Sequence, residues 1–163
     1  MRRIALIGAH PATRAGAPYR DDAWEIWACS FRNVGLIPRC DLWFELHEPF
    51  GSDKYVAWLA RQPNVMVRTA AGKEKLPQAA VYPEEEMRRR FGPFFFTSSI
   101  AYMMALAVSH EPHEIGLWGV QMAQRHEYEY QRPGCQYFIQ RAWDAGIRVT
   151  APPSLLEPPK EDW

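Results

Sequence analysis

The segment Ile100–Ser109 (IAYMMALAVS) is apolar on nearly every side. A helix with no polar face must be buried. The turn residues His110–His113 follow it, then a predicted strand over Glu114–Trp118, then Gly119. In front of it stand an aromatic run, Phe94–Phe96, and three small hydroxyl residues, Thr97, Ser98 and Ser99. A buried helix that leads straight into a buried strand requires a sheet layered with helices. Other short apolar runs fit such a sheet: Arg3–Ile7, Ala23–Cys29, Cys40–Leu46, Val65–Val67 and Ile147–Thr150. Helical patterns lie between them at Asp53–Arg61, which starts near Ser52 or Asp53, at Glu84–Arg90, and at Gln136–Ala145, which Gly146 stops. Gly72–Pro83 has two prolines and little periodicity and reads as a loop. The alternation predicts an α/β fold: a doubly wound, mostly parallel sheet with helices on both faces, Rossmann-like. Residues 1–150 form the single nucleotide-binding-like domain, and residues 151–163 a proline-rich tail that is extended or partly disordered.

The chain has 163 residues, enough for one domain with a real core. Nineteen basic residues balance 19 acidic ones, so net charge indicates neither a nucleic-acid nor a membrane surface. No apolar run approaches the roughly 20 residues of a membrane span. The opening MRRIALIG is too short in its apolar part for a signal peptide. Cys29, Cys40 and Cys135 are odd in number and lack paired spacing, which suits reduced thiols in a cytoplasmic protein. No ligand cluster argues for a metal. Trp58, Trp143 and Phe94–Phe96 serve either the core or the face of a homo-oligomer.

In such sheets ligands bind at the carboxyl ends of strands and at helix starts. Gly8 ends the first run and lets the backbone turn tightly and approach a ligand, together with Ala9 and His10. The loop is neither GxGxxG nor a Walker A sequence. Arg14 is either a phosphate donor or a solvated arginine. Ser30 follows the second run. Thr97–Ser99 either bind an anion at the helix start or simply cap the helix. Gly8, Ser30 and Thr97–Ser99 are expected to converge on one pocket. His47, flanked by Glu45 and Glu48, is either an acid–base group or a loop residue. The densest segment is Gln121–Gln136, with Arg125, His126, Glu127, Tyr128, Glu129, Tyr130 and Arg132. It reads as a substrate lid rather than a connector.

Taken in order, these motifs resemble the bacterial sialyltransferases that use CMP-sialic acid, and related domains of unknown function in motility-associated glycosyltransferase-like proteins. The resemblance rests on IALIGAHPATR, EIWACS, CDLWFELHEP, FFTSSIAYMMALAV, HEIGLWGVQM, EYEYQRP, QYFIQRAWDAGIRV and PPSLL. It spans nearly the whole chain, which also looks like small phage-encoded proteins. The resemblance implies that the first loop and Thr97–Ser99 bind a nucleotide and its phosphate, and that Tyr128 and Tyr130 hydrogen-bond the leaving phosphate. The chain departs from the family at several positions. Asparagines that contact the nucleotide become Ala9 and Ser30, Gly-Ile-Asp becomes Gly119-Val120-Gln121, and the catalytic histidine falls near Glu129, with His126 three positions away.

The leading reading is a nucleotide- or nucleotide-sugar-binding transferase that moves a sugar to a hydroxyl acceptor. The donor is its substrate and no cofactor is needed. His126 or Glu129 takes the acceptor proton, while Tyr128 and Tyr130 stabilise the leaving group. A second reading keeps the fold without the activity, as a nucleotide binder or a host-interaction protein. A third is a purely structural or interaction protein, which the many Trp residues suit.

Overall fold

The computed structural model describes residues 1–158. The elements run β1 (Arg3–Ile7), α1 (Pro11–Arg14), β2 (Trp24–Cys29), β3 (Leu42–Glu45), α2 (Asp53–Leu59), β4 (Val65–Val67), α3 (Ala70–Lys75), β5 (Ala80–Val81), α4 (Glu84–Phe91), α5 (Ser99–Ser109), β6 (Glu114–Trp118), α6 (Arg132–Asp144), β7 (Arg148–Thr150) and α7 (Pro153–Leu156). The seven-stranded sheet has the order β5-β4-β3-β2-β1-β6-β7, and every pairing is parallel. The chain therefore winds outward from β1 to β5, returns through α4 and α5, and resumes beside β1 with β6. The expected doubly wound α/β fold is the one observed.

Side-chain alternation along the strands splits the core in two. Ile4, Leu6, Trp27, Cys29, Phe44 and Leu46 face α4, α5 and α6. Ala5, Ile7, Ile26, Ala28, Trp43, Val65 and Val67 face the side that carries Tyr55 and Leu59 of α2, with Leu76. Helix α5 buries Ile100 through Val108 without a break, as its composition demands. Ser98 caps α5 by accepting from the Ala101 N–H at 3.2 Å, and Ser52 caps α2 in the same way.

Three local expectations change. Gly72–Pro83 is not a loop: Thr69 caps α3, and β5 pairs with β4. Gly72 sits so close to Glu48, Phe50 and Val67 that a β-carbon there would crowd them, an approach that no local pattern announces. Second, the segment after β6 is helical from Arg125 onward, passing through a π-turn at Glu127–Gln131 directly into α6. Third, the start of the tail is a helical turn, α7, with Leu155 only 1% exposed; residues 159–163 lie outside the described residues. Of the aromatics left open between core and surface, Phe95 and Phe96 pack on the core and Trp58 packs on the opposite face. Phe94 and Trp143 are exposed. No helix among the described residues is long and apolar enough to cross a membrane.

Candidate functional site

Strand order reverses between β1 and β6, which stay hydrogen-bonded to each other into the turns that follow them. A crevice at this switch point is where open α/β sheets place ligands. It holds a cavity of about 280 Å³, lined by the turn after β1, the end of β2, the start of α5, and residues 119–131.

The two turns that floor it are locked together. The Gly8 N–H donates to the Trp118 carbonyl, and the His10 N–H donates to Gly119, both at 2.8 Å. The Gly119 N–H donates to Thr13 Oγ1 at 2.7 Å. A β-carbon on either Gly8 or Gly119 would come within 3.0 Å of the other residue's carbonyl oxygen. The Gly8 glycine thus serves a close approach to another backbone. Asn33, 1% exposed, ties β1 to β2: its amide donates to the Gly8 carbonyl at 3.1 Å and the Cys29 carbonyl at 2.7 Å. Arg14 donates to the Ala9 carbonyl and to Asn33 Oδ1. It is half-buried and braces the two turns.

Gly8, Ala9 and His10 line the cavity. His10 Nδ1 accepts from the Ala12 N–H at 3.3 Å. A neutral His10 ring must then carry its hydrogen on Nε2, as a donor. Ser30 does not line the cavity. It sits at φ 79, and its hydroxyl accepts from the Arg32 N–H. Its neighbours Cys29 and Arg32 are the lining residues. Burial, then Glu45 and Cys40, push the Cys29 thiol up to about 12, so it is a neutral wall and not a nucleophile. Thr97 and Ser98 are likewise spent on structure. Thr97 Oγ1 donates to the Gln131 carbonyl at 3.3 Å, and Ser98 is the cap of α5. From this stretch Ile100, next to Ser99, reaches the cavity, which brings the α5 N-terminus to its rim.

From the lid, the cavity takes Gln124, Glu127 and Gln131. These positions share one helical face. The residues marked for catalysis lie on other faces. Glu129 pairs with Arg125 at 3.0 Å, His126 lies against Tyr130, and Tyr130 is 59% exposed. The Tyr128 ring lies under the Arg132 guanidinium. The period of three and four that links Gln124, Glu127 and Gln131 is visible in the sequence, but it signifies only once the segment is known to be helical. Gln121 and Met122 complete the wall; Met122 has φ 52.

Fold and crevice define a doubly wound α/β protein with a cavity of mixed polar and apolar lining at its switch point. The fold is similar to that of the sialyltransferase CstII from Campylobacter jejuni, solved with a substrate analogue, cytidine-5'-monophosphate: the TM-score is 0.61 at 13% identity, over 93% of this chain and 79% of that one. No family model matches the sequence. No curated protein matches it.

Proposed function

We propose that the protein binds a nucleotide or nucleotide sugar in the switch-point cavity and transfers the sugar to a hydroxyl acceptor. The observation that carries this reading is the place of the cavity. It opens at the carboxyl ends of β1 and β6, where the strand order reverses, beside the start of α5, in a fold similar to that of a protein solved with cytidine-5'-monophosphate. The lining fits such a ligand. Arg32 and the His10 Nε2–H are donors for phosphate oxygens, and the free N–H groups and dipole of the α5 N-terminus favour the same charge. The Gln121, Gln124 and Gln131 amides offer donors and acceptors for a base edge. The Glu127 carboxylate, which lines the cavity, can accept from ribose hydroxyls. Glu127 and Gln131 are then the lid groups that meet the ligand. His126, Glu129, Tyr128 and Tyr130 act around them, on the outer faces of the lid.

A non-catalytic nucleotide binder is the second reading. Ala9 favours it, because it lines the cavity with no side-chain hydrogen-bonding group. A thermal-shift screen with cytidine, uridine, guanosine and adenosine nucleotides and their sugar conjugates tests binding. A ligand at 100 times its Kd raises stability by about 2.7 kcal/mol. No shift with any of them sinks both readings, and a shift without sugar transfer leaves the second.

A further inference from the structure

Among the described residues, the link from β2 to β3 is the one crossover of the sheet without an α-helix. It makes a single 3-10 turn at Phe31–Asn33. It then passes irregularly through residues 34–39, where Gly35 and Pro38 disfavour a helix. Parallel crossovers are usually helical, and a helix here would fill the layer beside α2. That space is instead a second cavity, of about 210 Å³, between the crossover and the end of α2.

Its lining favours a flat ligand. Trp43 and Trp58 stand nearly edge to face, with ring centroids 4.6 Å apart, and Ile37, Pro38 and Pro63 add apolar wall. The rings are held in advance. The Trp43 indole N–H donates to the Tyr55 hydroxyl at 3.0 Å, and the Tyr55 ring stacks on Trp58 at 6.0 Å. The charge in the lining is already matched, since Arg39 donates to Asp22 at 3.0 Å and lies 3.6 Å from Asp41. The Gln62 and Asn64 amides add neutral polar groups to the lining. Aromatic walls with a few neutral hydrogen-bonding groups suit an uncharged ring system with a polar edge.

This cavity shares no lining residue with the one at the switch point, yet one buried amide joins them. Asn33 forms part of the second cavity's wall. Its side chain holds the Gly8 and Cys29 carbonyls and accepts from Arg14, which holds the Ala9 carbonyl. Gly8, Ala9 and Cys29 all line the switch-point cavity.

We propose that the second cavity is a regulatory site for a small, uncharged, planar heteroaromatic molecule, and that its occupancy is felt at the switch-point cavity through Asn33. The coupling rests on the nucleotide reading of that cavity; the second site does not. A molecule seated beside Asn33 favours one placement of its amide, and with it one placement of the three carbonyls. The effect is reciprocal: a nucleotide that prefers the same placement tightens the second site by the same factor.

Indole, one planar ring system with a single N–H, is the probe. In proton–nitrogen NMR of the wild type it shifts the Trp43 and Trp58 indole signals and the Asn33 side-chain amide. Trp58→Ala weakens it about tenfold. Indane, of the same shape without the N–H, binds roughly 2- to 10-fold more weakly. No shift at Trp43 and Trp58 overturns the site, and this holds should Trp58→Ala not fold. Indane bound as tightly as indole overturns the heteroaromatic class. For the nucleotide with the largest thermal shift, saturating indole changes Kd about fivefold or more, and that nucleotide changes the Kd of indole equally. A nucleotide Kd that indole leaves unchanged overturns the coupling. A wild type that binds indole but no nucleotide overturns the switch-point reading instead. The indole-induced shifts of Asn33 and the Gly8 N–H then decide the coupling, and their absence overturns it.

Discussion

A β-carbon on Gly134, in the first turn of α6, would come within 3.0 Å of Thr97 Oγ1 and of the Phe95 carbonyl oxygen. The lid and the loop before α5 therefore meet backbone to backbone, and the Thr97 hydroxyl bonds the last residue of the π-turn. Gly134→Ala should cost about 1–3 kcal/mol in denaturant unfolding, the usual penalty of overpacking. Adding Thr97→Ala should return only part of it, since the Phe95 carbonyl stays in place. Full recovery in the double variant would show that the side chain alone sets the contact.

Gly8 and Gly119 form the same kind of contact at the floor of the cavity. Gly119 also has φ +67, where an L side chain is strained. Gly119→Ala should be the most damaging of three alanine variants and Gly8→Ala next. Gly35→Ala should be mildest: Gly35 has φ +77 but nothing within 4 Å, so only the left-handed backbone cost of about 1–2 kcal/mol applies. The ranking is read from urea midpoints. Gly35→Ala equal to Gly119→Ala would remove the close approach as the cause.

Glu84 joins β4, α4 and α5. Arg68 donates to both of its oxygens at 2.9 Å, and Arg88 Nε donates to Oε1 at 2.9 Å. The Arg68 hydrogen bond, opposed by burial and reinforced by Arg88, holds the Glu84 carboxyl down from 4.5 to about 2. A depressed folded value contributes stability above the unfolded value, and the contribution is lost as pH falls. Glu84→Gln should thus be less stable than the wild type at pH 7, and the gap should close between pH 4.5 and about 2. A gap that does not change across this window would exclude Glu84 as its source.

Arg132 is 4% exposed, and its guanidinium donates to carbonyls of the C-terminal segment: Ser154 at 3.2 and 2.7 Å and Glu157 at 2.7 Å. Its guanidinium also covers the Tyr128 ring at 4.8 Å. Arg132→Met keeps much of the volume and strips these bonds. It should cost about 1–3 kcal/mol and raise hydrogen exchange in both Ser154–Glu157 and the π-turn. Faster exchange at the C-terminal segment alone would show that Arg132 does not couple the two.

Much of the frame was legible in the residues. Arg3–Ile7, Val65–Val67 and Glu114–Trp118 are strands with the expected bounds, because each is a short apolar run with turn-forming residues at one end, and both signals are local. The all-apolar α5 had to be central for the same reason. The lid shows where local reading stops. Pro133 and Gly134 look like breakers in isolation, yet Pro133 comes just after the π-turn, where the regular helical hydrogen-bond ladder is already interrupted, and Gly134 is a residue small enough to fit against Thr97. Which lid side chains face the cavity is set by the rotational phase of a π-turn continuous with α6. One residue of phase exchanges Tyr128 for Glu127. The sequence by itself determined the layers, the strand identities and the polar richness of the sheet's carboxyl edge, since hydrophobic period and turn chemistry are written in neighbouring residues. Only the tertiary structure decided which polar groups are spent as caps and braces and which are left facing the crevice, because that depends on contacts between residues such as Thr97 and Gln131, or Arg14 and Asn33, that are far apart in the chain.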